Sequence, residues 1–129
     1  MDYEQDYIMR MIKEAVRALA SVIFGKRLEQ DYDEKKEKDT VSGSDTSRRV
    51  FELASQGMIN EAENLLLESI DYSRMEDFRV VLEFYEYIND FSDDYLEAHN
   101  YSREEIKDGI RQCADGFGVL ELAGPMLEE

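Results

Sequence analysis

Between Ser47 and Ile70 the apolar residues fall in two short runs, spaced three and four apart, on either side of Gly57. Val50, Phe51, Leu53 and Ala54 mark one face of the first run. Ile59, Ala62, Leu65, Leu66 and Ile70 mark one face of the second. That spacing is the period of a helix with one buried face. Gly57 stands just past the first run, where a left-handed terminal residue costs least without a Cβ. The stretch predicts a helical hairpin: two short helices joined by a tight turn, the second opening at Ile59 or Asn60.

The remaining chain follows the same habit. Its single proline, Pro125, lies near the C-terminus. Long proline-free stretches rich in Glu, Leu, Ala, Arg and Met favour helix. No run shows the period-two alternation of β-branched residues that marks a half-buried strand, so no sheet is expected. At 129 residues, 43% of them hydrophobic, the chain is one domain with enough apolar surface for a core. Three parts are expected: an N-terminal helix over 1–27, a charged mobile connector over 28–47, and a helical body over 48–129.

The N-terminal helix is the longest and most hydrophobic. Ile8, Met11, Ile12, Ala15, Val16, Leu19, Val22 and Ile23 form an apolar arc, widened by Met9, Ala18 and Ala20. Its charge sets it apart. From Ile8 to Arg27 there are five basic residues and one acid, a local +4, in a chain of net charge −16. Arg10, Lys13 and Arg17 share the narrow polar face. Three roles fit: a central core helix whose basic face meets acidic neighbours, a surface for a second copy or another protein, or a helix lying on an anionic membrane. The absence of Trp and the strongly acidic remainder weigh against the last.

Over residues 29–47 ten of nineteen residues are charged and only Tyr32 and Val41 are larger apolar residues, too few to fix the connector in place. After the hairpin, Ser73 and Glu76 have the spacing of a capping box opening a helix to Asn89. Met75, Phe78, Val81, Leu82, Tyr85 and Ile88 form its apolar face; Phe84, Tyr87 and Phe91 fall outside it. Ser92 begins a further short helix that ends near Asn100. Ser102 and Glu105 make a second capping box, and Gly116 and Gly118 end the helix it opens. The last residues, FGVLELAGPMLEE, form a hydrophobic tail that docks or frays.

Little here points to catalysis. His99 is the only histidine and Cys113 the only cysteine, which forbids an internal disulfide and argues against a nucleophile–base constellation. Asp93, Asp94, Glu97 and His99 are close in sequence but match no cation-ligand spacing. No Gly-rich phosphate loop is present. The acidic balance repels nucleic-acid phosphate. No signal peptide and no run long enough to span a membrane are visible, so a cytoplasmic setting is expected.

The hairpin resembles a tetratricopeptide-like unit. Gly57, Ile59, Ala62 and Leu66, with Leu53 four residues before the glycine, match the turn glycine, bulky, small and large apolar positions of such repeats. No second copy appears at the 34-residue spacing, where Phe91 stands. The whole chain also resembles a family of uncharacterised small bacterial proteins, through MDYEQDYIMRMIKEAVRALASVIFGK, GMINEAENLLLESI and YSREEIKDGI. That resemblance implies a helical fold and a cytoplasmic bacterial setting, and no chemistry.

These readings converge on an all-α, tetratricopeptide-like hairpin stack with a long N-terminal amphipathic helix. The expected function is binding another protein, or self-association as a homodimer, without catalytic activity or cofactor. Met9, Arg10, Lys13, Arg17, Phe84, Tyr87 and Phe91 are the candidate contact residues. The alternatives are a small-molecule sensor or accessory domain with a pocket lined by Tyr85, Tyr87 and Tyr95, or a membrane-surface protein using the first helix.

Overall fold

The computed structural model describes residues 3–25 and 45–127, the side chains of 3–5 and 123–126 excepted. Among the described residues it is helical throughout, with no strand. The elements are α1 (Tyr3–Phe24), α2 (Asp45–Ser55), α3 (Ile59–Ser69), α4 (Met75–Asn89), α5 (Asp93–Ala98), α6 (Arg103–Gly116) and α7 (Leu120–Leu127). Most of the expected connector lies outside the described residues. Its last three residues, Asp45 to Ser47, instead form the first turn of α2. There Asp45 sits at the positive end of the helix and pairs with Arg48 at 3.1 Å.

The hairpin forms where the apolar spacing puts it. Gly57 takes a left-handed φ of +87°. The Met58 amide donates to the Leu53 carbonyl at 3.0 Å and the Gly57 amide to the Ala54 carbonyl at 3.1 Å. Those two bonds close the end of α2 as a Schellman motif. A Cβ at Gly57 would also lie 2.5 Å from His99 Nε2, so the turn has two reasons for glycine. Ile59, Ala62 and Leu66 are the buried residues of α3.

Of the two serines expected as caps, Ser102 caps its helix; Ser92, expected to begin a helix, caps one as well. Ser92 accepts from the Tyr95 amide, and Ser102 from the Glu105 amide. Ser73 does not cap α4, which starts two residues later. Its amide and hydroxyl both donate to Asp71 Oδ1, at 2.9 and 2.6 Å. An aspartate two residues upstream captures the local donors in an Asx turn before a helix can use the serine. Asp77, in the first turn of α4, reaches back to accept from the Asp71 amide at 2.9 Å.

The most enclosed helix is α4. It packs against α1, α2 and α6, and Phe78, Val80, Val81, Leu82, Phe84, Tyr85 and Ile88 are all buried. Apolar residues on every side are what an enclosed helix needs. The periodic stripe understated this, because Phe84 lies outside it and is nonetheless fully covered. By contrast α1 buries one face, through Ile12, Ala15, Val16, Leu19 and Ala20, against α4, α6 and α7. Val22, expected on its apolar arc, is 64% exposed. The hydrophobic tail docks: α7 packs on α1 and α6, and Leu127 is buried.

The close approach of α6 to α4 depends on Gly109. A Cβ there would fall 2.3 Å from Tyr85 Oη and 2.5 Å from Cζ. Tyr85 is fully buried, so its ring has no free space to enter. Alanine gains about 1 kcal/mol over glycine inside a helix. Overpacking and a displaced tyrosine hydrogen bond outweigh that gain, and Gly109→Ala is expected to destabilise by about 2 kcal/mol or more. Urea denaturation checks this; an unchanged midpoint would mean that the Tyr85 ring can yield.

Candidate interaction surface

A chain of aromatic rings runs from the core to the surface across α2, α4 and α5. Phe84 meets Phe51 edge-on at 6.3 Å, and Phe51 meets Tyr87 at 5.7 Å. Tyr87 then meets Phe91 at 5.4 Å, Phe91 meets Tyr95 at 4.7 Å, and Tyr95 meets His99 at 4.3 Å. Tilted and edge-to-face pairs at such separations contribute about 0.5–1.5 kcal/mol each beyond burial. The inner end is closed, since Phe84 is 0% exposed. The outer rings are not: Phe91, Tyr95 and His99 are half-buried, and Tyr87 is 37% exposed. His99 Nδ1 donates to the Tyr95 carbonyl at 2.8 Å, which leaves Nε2 facing Gly57.

The sequence-predicted contact residues divide between two places. Tyr87 and Phe91 belong to the open part of the ladder and Phe84 to its buried root. Arg10 and Arg17 are exposed on α1, Lys13 is half-buried there, and none of the three forms an ion pair with a described residue. Met9 is half-buried, and its carbonyl accepts from Asn89 Nδ2 at 3.0 Å. That bond pins the first half of α1 beside the end of α4. Phe51, Tyr95 and His99 complete the ladder; only the tertiary fold brings Phe51 to the others.

The titratable groups gather elsewhere, under the hairpin. Tyr85 donates to Glu63 Oε2 at 2.6 Å, tying α3 to α4. The Tyr101 hydroxyl faces the same carboxylate, yet it is buried and has no hydrogen-bond partner among the described residues. Burial holds the Glu63 carboxyl above its ordinary value of 4.5, and the Glu105 charge adds to the rise; the Tyr85 and Tyr101 hydroxyls pull the other way. Burial, reinforced by the Glu63 charge, raises both Tyr85 and Tyr101. Cys113 is pushed up to about 12, by burial first and then by Glu63, so its thiol stays protonated at neutral pH and is a poor nucleophile.

Glu63 therefore links stability to pH with a definite sign. The folded chain holds this proton above pH 4.5 while the unfolded chain releases it. The stabilisation is complete below 4.5 and is lost as pH rises through the raised value. Glu63→Gln keeps an acceptor for Tyr85 without the charge. Its stability relative to the parent is expected to rise from pH 4.5 to pH 8, measured by urea denaturation of both chains. A relative stability of the variant that falls over that range would reverse the sign.

Among the described residues, no group of three or more His, Cys, Asp or Glu is placed to hold a metal ion. Asp93, one of the four residues near His99 in sequence, is engaged by Arg103 at 2.9 Å. No helix among the described residues is long and apolar enough to cross a membrane. The geometry defines an acidic, all-helical protein with an aromatic strip at its surface. The chain belongs to the Family of unknown function (DUF6483), whose model matches residues 2–118. No curated protein and no solved structure matches it.

Proposed function

We propose that this protein is a non-catalytic interaction module that engages a protein surface through the outer rings of its aromatic ladder. One observation carries the reading: Tyr87, Phe91, Tyr95 and His99 are stacked in sequence and partly open to solvent. Preordered aromatic rings lose little side-chain freedom on docking, and aromatic residues are enriched among those that dominate binding energy. The α2–α3 hairpin, read as tetratricopeptide-like, forms the frame. Its Schellman turn at Gly57 and its buried Ala62 support that reading. In the same reading α1 is an amphipathic helix whose outer face offers a second contact surface, through the exposed Arg10 and Arg17. A buried free thiol at Cys113 suits a reducing compartment, and we place the module in the cytoplasm.

A displayed library of helical peptides tests the ladder. Peptides selected on the parent are expected to lose at least tenfold in affinity for a Tyr87→Ser, Tyr95→Ser double variant that still unfolds cooperatively. Selection of nothing above background, or undiminished binding to the variant, would refute the assignment.

A further inference from the structure

Resting on the interaction-module reading, we infer that the ladder's partner is a second copy of this chain, which presents the outer face of its α1. The two faces are complementary, and among the described residues neither the arginines of one nor the aspartates of the other form an ion pair. On α1, Arg10 and Arg17 are a heptad apart and so share a side. Tyr7 and Val22 are exposed on the same helix, at 53% and 64%. Around the ladder, Asp90 and Asp94 each follow an aromatic residue by three positions, Tyr87 and Phe91. Both aspartates are exposed, and neither forms an ion pair with a described residue. Other cations of the chain do find acids: Arg48 meets Asp45, Arg74 meets Asp71, Arg103 meets Asp93, and Lys107 meets Glu104. A guanidinium beside Asp90 or Asp94 gains a charge pair and an aromatic face together.

Placement favours reciprocity. The hydrogen bond from Asn89 to the Met9 carbonyl brings both faces to one corner of the fold, because Arg10 follows Met9 and Asp90 follows Asn89. A two-fold axis near that corner makes the contact twice, α1 of each copy on the ladder of the other. Closed two-fold pairs of this kind are the commonest assemblies of identical chains. The net charge of −16 per copy opposes approach at long range. At 0.15 M salt such repulsion is screened beyond about 8 Å, while close pairs at a partly buried contact are screened much less.

Charge reversal tests the pairing in the full chain. Sedimentation velocity at 0.15 M salt, over micromolar to several hundred micromolar protein, is expected to show a concentration-dependent dimer. Arg10→Glu with Arg17→Glu, and separately Asp90→Arg with Asp94→Arg, are each expected to give monomers with the parent's circular dichroism. An equimolar mixture of the two variants is expected to recover the dimer. Asp94→Arg alone, at an exposed site, replaces the acidic-face double variant if that one misfolds. A parent that is monomeric throughout, variants that dimerise as well as the parent, or a mixture that stays monomeric each overturn the proposal. A monomeric parent that binds phosphatidylserine vesicles also overturns it. A monomeric parent that takes up a selected peptide at Tyr87 overturns the second copy as partner and leaves the interaction module standing.

Discussion

Replacing Arg103 with alanine is expected to remove about 3 kcal/mol of stability or more, because it leaves the Asn89 and Phe91 carbonyls and Asn89 Oδ1 without their donor. Arg103 is 2% exposed. Its Nη1 donates to the Asn89 carbonyl at 2.7 Å and to Asn89 Oδ1 at 3.0 Å. Its Nη2 donates to the Phe91 carbonyl at 2.6 Å, and Nε to Asp93 Oδ1 at 3.0 Å. The guanidinium thus closes the negative end of α4 and holds the start of α5 with one planar fork. Asn89 passes the constraint on, since its amide holds the Met9 carbonyl of α1. Lysine keeps the charge but cannot make the fork, so Arg103→Lys is expected to recover only part of the loss. Domains of this size carry about 5–15 kcal/mol in total, so the alanine chain should melt far below the parent in urea. A loss under about 1 kcal/mol would mean that water replaces the fork at little cost.

What could be read from the sequence was local. The hairpin was legible because its apolar period and its turn glycine agree. Ser102 was legible as a cap because it stands directly before its helix, where its oxygen accepts from the Glu105 amide while its hydroxyl donates to the Glu105 carboxylate. Ser73 has the same three-residue spacing to a glutamate, but Asp71 takes its donors first, and a capping pattern alone does not weigh that competition. The enclosure of α4 was not legible, since counting one stripe leaves Phe84 outside; covering it needed Phe51 from α2. Arg103 looked like an ordinary first-turn residue because its partners, Asn89, Phe91 and Asp93, lie ten to fourteen residues back. Glu63 was one carboxylate among many until Tyr85 and Tyr101 met it. Tyr87 and Phe91 fall off the apolar stripe of α4, and that misfit is the signal of the ladder. Phe51 and His99 carried no comparable sign.

Phe84 and Tyr87, three residues apart on α4 and both candidate contact residues, are expected to respond in opposite ways to truncation. Phe84 is fully buried between Phe51 and Tyr85. Removing its ring opens a cavity in the most enclosed helix, and Phe84→Ala should cost about 3–5 kcal/mol. Tyr87 is 37% exposed and touches Phe51 and Phe91 by its edges. Tyr87→Ala forfeits those contacts and should cost only about 1–2 kcal/mol. Binding should then separate from folding. At a temperature where both chains are folded, Phe84→Ala should retain the parent's affinity for a ladder-directed partner or second copy. Tyr87→Ala should lose it while its unfolding curve stays near the parent's. Phe84→Leu, which refills much of the cavity, should restore most of the stability and leave binding unchanged. The reverse pattern, a stable Phe84→Ala that no longer binds, would move the contact surface inward and require α2 to swing off α4 on docking.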